Sequence, residues 1–261
     1  MSTVRGIVLR DNAQHQKTVL LTVDNAVWYP FDVCGRYTVS KPSEILPELL
    51  GRDDLPQLAA RYNIAPTQMA PVLVADPDCE PRLTEMQWGF VPYWADTPEI
   101  GHRLINARSE TVAKKSTFRE SFSRQRCVVA ADGFYEWQQI PGGKQPYLLR
   151  FRGNAPFGFA GLWNRWRNSA DQVLETFTIL TTTANGLVEP IHGRMPVILN
   201  RQARQAWLAP QTEPAVLLQL CEPCPASTME AIPVSNCVNN AGHDSSQCLQ
   251  AVRIPDSRTL F

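Results

Sequence analysis

Four short segments hold the side chains on which chemistry could rest. They place a thiol at Cys34 in Val33-Cys34-Gly35-Arg36-Tyr37, and a carboxamide at Asn106 in Ile105-Asn106-Ala107-Arg108-Ser109-Glu110. A carboxyl follows at Glu136 in Ala131-Asp132-Gly133-Phe134-Tyr135-Glu136-Trp137, and an imidazole at His192 in Pro190-Ile191-His192-Gly193-Arg194-Met195-Pro196. Alone, each is weak, because a single cysteine is commonly a small buried hydrophobe and a single histidine a satisfied structural group. As a set they allow a cysteine peptidase in which His192 activates Cys34 and Asn106 orients the pair. A blander alternative is a single-strand binding module in which Cys34 is inert.

The elements that must position these groups read as a strand-rich α+β domain. Strand-like runs fall at 71–75, 82–88, 127–131, 147–151, 157–162, 176–182, 195–199 and 231–235. Pro141-Gly142-Gly143-Lys144 has the chemistry of a hairpin turn. Asn200 can cap a helix over 201–208 that Pro210 stops, and Thr212, Glu213 and Pro214 can start another over 215–221. Ser116 can start a short helix with Phe118 and Phe122 on one side. If 131–137 is partly extended, Glu136 shares a face with Phe134, and burial there would raise its pKa and suit it to proton transfer. The regular strand-helix alternation of a doubly wound sheet is missing.

The 261 residues carry 25 Lys+Arg against 25 Asp+Glu and are 44% hydrophobic, which excludes a disordered or low-complexity chain. Apolar runs such as Val19-Leu20-Leu21 and Val128-Val129-Ala130-Ala131 are far shorter than the roughly 20 residues of a membrane helix, and the first residues do not read as a secretion signal, so none is expected. A cytoplasmic, membrane-free protein is expected. The seven cysteines, Cys34, Cys79, Cys127, Cys221, Cys224, Cys237 and Cys248, are odd in number and thinly spread, so a disulfide framework is not expected. Cys221-Glu222-Pro223-Cys224, with Cys237, His243 and Cys248 downstream, could begin a zinc site. Against it, Cys221 closes an amphipathic run and the second half lacks a ribbon's paired spacing, so no metal is expected.

Charge is uneven within the neutral whole. Residues 101–130 carry seven basic side chains, Arg108 among them, against Glu110 and Glu120, a net charge of +5. Such clusters contact phosphates, whereas overall neutrality argues against indiscriminate duplex binding. Trp88, Phe90, Tyr93 and Trp94 lie in one Gly/Pro-punctuated segment and offer rings for stacking on unpaired bases, although core packing explains any single ring as well.

In this order the four segments resemble the SRAP family, abasic-site processing proteins first named as SOS-response-associated peptidases. The resemblance runs from 34 to about 252 and includes Arg61-Tyr62-Asn63-Ile64-Ala65-Pro66-Thr67, Gln87-Trp88-Gly89-Phe90-Val91-Pro92, Phe159-Ala160-Gly161-Leu162-Trp163, Pro233-Val234-Ser235 and Val238-Asn239-Asn240. It implies one domain over 34–255 with a mixed, barrel-like sheet core flanked by short helices, an extension at 1–33 and a tail at 256–261. It also implies covalent capture of abasic sites in single-stranded DNA by a cysteine that begins the mature chain, with lyase and self-cleaving activities as accompaniments. Carried over residue by residue, Cys34 is the nucleophile, Asn106 fixes it, Glu136 is the catalytic carboxylate and His192 assists sugar opening and crosslink reversal. Arg36, Arg108 and Arg194 sit beside these residues and are expected at phosphates. Pro66, Trp88 and Phe90 are expected to stack or wedge at the lesion, and Thr181 to donate its hydroxyl to phosphate. The chemistry requires no cofactor, no P-loop or dinucleotide fingerprint is present, and one lesion needs one nucleophile, so a monomer is expected.

The departure from the family is that Cys34 follows 33 residues, which make its nitrogen an amide. Val33 is what a GTG initiation codon becomes when a start is placed too far upstream. Initiation there would insert Met, which is readily trimmed before the small Cys; proteolytic removal of the extension is the other route.

Overall fold

The computed structural model describes residues 34–51, 56–75 and 81–253, together with the backbones of two strands at 5–10 and 16–21. Val33, Cys79 and the expected tail at 256–261 lie outside the described residues. Contacts divide the chain into two units, Met1–Phe31 and Asp32–Phe261. The first unit contains an antiparallel hairpin of β1 (Arg5–Arg10) and β2 (Gln16–Leu21).

In chain order the second unit has β3 (Arg36–Val39), α1 (Pro42–Leu50), β4 (Arg61–Ile64), β5 (Met69–Ala75), β6 (Pro81–Trp88) and β7 (Asn106–Arg108). Then follow α2 (Ser109–Val112), α3 (Arg119–Arg124), β8 (Arg126–Ala131), β9 (Gly133–Ile140) and β10 (Gly143–Phe151). β11 (Phe157–Arg167), β12 (Val173–Thr183), β13 (Arg194–Pro196), β14 (Ile198–Leu199), α4 (Arg201–Leu208), α5 (Pro214–Gln219) and β15 (Met229–Pro233) complete it.

β6, β5, β8, β11 and β12 close into a barrel. Neighbours pair antiparallel around the ring, and the seam is a parallel pair that sets Thr176 opposite Gln87 and Phe177 opposite Trp88. Closure removes sheet edges that would otherwise have to be covered. The strand sequence is a fully buried run on β8, because one side of Arg126–Ala131 fills the barrel and the other meets α1 and α4. A second sheet, ordered β15-β10-β9-β3-β4, packs its aromatic face on the barrel. Tyr37 meets Trp88 and Phe159 edge-on at centroid distances of 5.2 and 5.8 Å, Phe134 meets Phe159 at 6.1 Å, and Trp88 stacks on Phe177 at 6.3 Å.

Local signals explain several elements. Ile140 pairs Gly143 across the two-residue turn Pro141-Gly142, where Gly142 takes φ 86°, a conformation that favours glycine. Asn200 accepts the Ala203 N–H at 2.8 Å and caps α4, whose Trp207 is buried with its indole N–H on the Cys127 carbonyl. The strand expected at 195–199 is two short strands, β13 and β14, broken at Val197, and the helix expected over 215–221 is Pro214–Gln219. Among the described residues, no helix is long and apolar enough to cross a membrane.

Candidate functional site

β12 gathers one half of the site. Its parallel pairing with β7 sets Ile179 opposite Asn106 and Thr181 opposite Arg108, and its antiparallel pairing with β13 sets Thr183 opposite Arg194. β7 is held in place from the barrel side by the segment before it. The Trp88 indole donates to the Ile105 carbonyl at 2.9 Å, and the Phe90 N–H to the Leu104 carbonyl at 3.1 Å. Gly89 and Gly101 approach so closely that a Cβ on Gly101 would lie 2.5 Å from the Gly89 carbonyl oxygen. β9 supplies the other half through its pairing with β3, Arg36 opposite Tyr135, which brings Cys34 alongside Glu136. Asp132 locks the chain just beyond β3. Its carboxylate accepts the Thr38 hydroxyl, the Ser40 N–H at 2.8 Å and hydroxyl at 2.6 Å, and the Lys41 N–H at 3.0 Å.

Cys34, Asn106, Glu136 and His192, far apart in the chain, are brought together. The backbone nitrogen of Cys34 donates to Glu136 Oε1 at 2.6 Å, and Asn106 Nδ2 donates to the Cys34 carbonyl at 3.3 Å. His192 Nδ1 lies 4.0 Å from Glu136 Oε1 and accepts the Arg194 N–H at 3.2 Å. Gln138 ties β9 to the histidine loop, donating to the Pro190 carbonyl at 3.1 Å. The sulfur of Cys34 rests against the Arg36 carbonyl at 3.8 Å. Glu136 is 4% exposed. Burial pushes its carboxyl up to about 8, an effect that the Cys34 N–H partly offsets by favouring the anion. Burial first, and the neighbouring Glu136 charge second, push the Cys34 thiol well above the usual range. Cys34 also has φ 20°, outside the regions an L-residue inside a chain prefers.

The three arginines differ. Arg194 is half-buried and forms a two-pronged pair with Glu110 at 3.0 and 2.9 Å while donating to the Thr181 carbonyl at 2.8 Å. That pair holds the Glu110 carboxyl below its ordinary value. Arg36 is half-buried, and burial lowers its pKa. The Nε atoms of Arg36 and Arg194 are buried without a hydrogen-bond partner. Arg108 is exposed. Arg126, counted in the basic segment, is interior: its guanidinium donates to the carbonyls of Trp207, Phe122, Ser123 and Ala209.

Three expectations require correction. Trp88 and Phe90, expected to stack on bases, are 0% and 1% exposed and belong to the core, Trp88 against Tyr37 and Phe177 and Phe90 against Phe118. The exposed rings of that segment are Tyr93 at 64% and Trp94 at 51%. Thr181, expected at phosphate, is fully buried, and its oxygen accepts from Arg194 at 3.3 Å. Pro66 is half-buried. Reasoning from sequence missed Glu110 as the Arg194 partner and Asp132 as the lock on β3. A lone acid between Arg108 and Lys114 in a basic segment, and an acid directly before a strand glycine, were the available signals.

Residues 33–241 match the family described as SOS response associated peptidase (SRAP). The abasic site processing protein YoqW of Bacillus subtilis (strain 168) is 37% identical over 224 residues, covering 84% of this chain and 100% of that protein. The chain belongs to the SRAP family. The abasic site processing protein HMCES of Gallus gallus is 34% identical over 228 residues, 74% of this chain and 66% of that protein. A solved structure from Bacteroides thetaiotaomicron shares the SRAP domain's fold with a TM-score of 0.74 at 24% identity, over 84% of this chain and 100% of that one. One from Bordetella bronchiseptica does so with a TM-score of 0.66 at 28% identity, over 77% and 100%. The SRAP match begins one residue before Cys34 and spans Asn106, Glu136 and His192.

Proposed function

We propose that this protein processes abasic sites in single-stranded DNA, capturing them covalently when Cys34 is the first residue of the chain. The observation that carries the reading is the 2.6 Å contact between the Cys34 nitrogen and Glu136: a buried carboxyl is aimed at a backbone nitrogen, not at the thiol. As an amide that nitrogen is no nucleophile. As an α-amine, with a reference pKa near ~8, it is one, and Glu136 is placed to take its proton.

The amine attacks the aldehyde carbon of the ring-opened sugar, and the resulting carbinolamine loses water to give an imine. The thiol then adds across the imine, sulfur to carbon and proton to nitrogen. Nitrogen, Cα, Cβ, sulfur and the former aldehyde carbon close a thiazolidine, with one water released overall. Glu136 passes its proton to the departing oxygen, and His192, 4.0 Å from Glu136, serves sugar opening and the reverse reaction as acid or base. Asn106 fixes the Cys34 carbonyl and so the direction of the nucleophile. β-Elimination from the imine would cleave the strand, and ring closure by sulfur competes with it. The exposed Arg108 suits a flanking phosphate, with the half-buried Arg36 and Arg194 adding positive charge beside the site, while Tyr93 and Trp94 suit stacking. The Cys-His-Asn peptidase reading is disfavoured by the sulfur's contact with the Arg36 carbonyl and by Asn106 holding the Cys34 carbonyl in place of an imidazole.

Incubation with a single-stranded oligonucleotide carrying one abasic site, followed by a denaturing gel, tests the proposal. A chain beginning at Cys34 should give a heat-stable shifted band, while its Cys34→Ala variant and a chain that retains residues 1–33 by intact mass should not. Equal irreversible capture by the extended chain would overturn the mechanism.

A further inference from the structure

We propose that Cys237, His243 and Cys248 form a zinc-binding site on the C-terminal strap, the segment that follows β15, independent of the capture chemistry. Each offers one donor atom, and the three donor atoms lie within 4.8 Å of one another. The two sulfurs are 4.0 Å apart. A tetrahedral zinc with Zn–S near ~2.3 Å requires an edge of about 3.8 Å between two thiolates, so the sulfurs need shift only slightly. Two thiolates and an imidazole are the donors zinc prefers, and they leave a fourth position for water.

The site is preformed by the strap's own contacts. Cys237 sits in a 3-10 turn at Asn236–Asn239 and Cys248 in another at Ser246–Leu249. Between them the buried Asn63 amide donates to the carbonyls of Val238 (3.1 Å), Asn240 (3.0 Å) and His243 (2.9 Å). Ser245 Oγ lies 3.1 Å from His243 Nε2, the kind of partner that fixes the orientation of a ligating ring. Asp244 points elsewhere: it pairs with Arg61 and accepts the Tyr62 and Asn63 N–H groups, so it braces the loop without joining the donors. Spacing in the sequence names this trio only as further ligands to a pair at Cys221 and Cys224, and that pair is not part of the cluster. Cys224 instead contacts Asn185 and Met229.

The consequence is mechanical. Val238 and Cys248 pack with Tyr135 on the face of β9 opposite Glu136, the Tyr135 hydroxyl donates to the carbonyls of Tyr62 (2.8 Å) and Cys248 (3.3 Å), and Trp137 donates to Asn239 at 2.7 Å. A zinc ion would staple the strap to the back of the strand that carries Glu136. Binding releases one proton from each thiol, and the imidazole binds in its neutral form.

The test uses the full chain, reduced and stripped of metal by a chelator, then titrated with Zn²⁺ against a chromophoric competitor and, separately, with Co²⁺. One equivalent should bind, with thiolate-to-cobalt absorption and a zinc-dependent rise in melting temperature. Cys237→Ser and His243→Asn, checked for folding by circular dichroism, should each weaken binding by about 100-fold or more, since loss of even an outer-shell partner costs ~10–100-fold. Cys224→Ser should leave it unchanged. Failure of the reduced chain to bind, including the case in which Cys237 and Cys248 are isolated as a disulfide, overturns the proposal, as does undiminished binding by the two ligand variants.

Discussion

Glu136 sits at the point where burial and chemistry oppose each other. Its carboxyl is pushed up to about 8 from an ordinary 4.5. Between those values the folded chain holds a proton that the unfolded chain releases, so stability falls as pH rises from about 5 to about 8, by an amount on the order of a few kcal/mol. Unfolding midpoints in urea at several pH values should show that decline in the parent chain and a flatter profile in Glu136→Gln; parallel profiles would contradict the assignment. In a chain that begins at Cys34, the α-ammonium beside Oε1 favours the anion, so the decline there should be smaller. Neutralising a neighbour, instead of adding a base, is how this carboxyl would be tuned.

At the scale of elements, the barrel strands were legible because β-branched and apolar runs bounded by turn residues mark strands wherever both faces are buried, as on β8 and β12. β3, which follows Cys34, was not legible, and β9, which bears Glu136, was visible only as a conditionally extended stretch at 131–137. β3 is four residues long, and β9 runs through the polar pair Gln138 and Gln139 before it ends at Ile140, so neither shows a sustained period. α1 carries Pro42 and Pro47 and reads as a breaker, although Ile45, Leu46 and Leu49 pack inward. The chemistry-bearing residues were visible as types in unusual settings, but the sequence could not say which rings of 88–94 face inward. Gly/Pro punctuation made that segment look like an open loop, whereas closing the barrel through β6 draws Trp88 and Phe90 inside. Gly101 tests how far this packing governs the site. Gly101→Ala would force Cβ against the Gly89 carbonyl and push apart the segment that leads into Asn106. It should cost about 1–3 kcal/mol and slow adduct formation, whereas Gly186→Ala, where a Cβ meets nothing within 4 Å, should change neither. Adduct time courses and thermal melts of the two variants decide it.

For the molecule as a whole, equal numbers of acidic and basic residues mean that affinity for nucleic acid rests on a few placed cations. The dependence of single-strand binding on salt should therefore be shallow. Arg108→Ala should reduce the log–log slope by about 0.7, the share of one single-strand phosphate contact, with little change in preference among sequences. Fluorescence anisotropy over a salt series measures it, and an unaltered slope would remove Arg108 from the interface.

The Cys34–Glu136 hydrogen bond joins residues 102 positions apart. During synthesis the cysteine therefore leaves the ribosome long before its carboxyl partner, and the β3–β9 pairing that joins them must wait for about a hundred further residues. A nascent chain carries its warhead unarmed. Reactive aldehydes met at that stage find a thiol with no assembled acid beside it, and competence arrives only with the folded sheet.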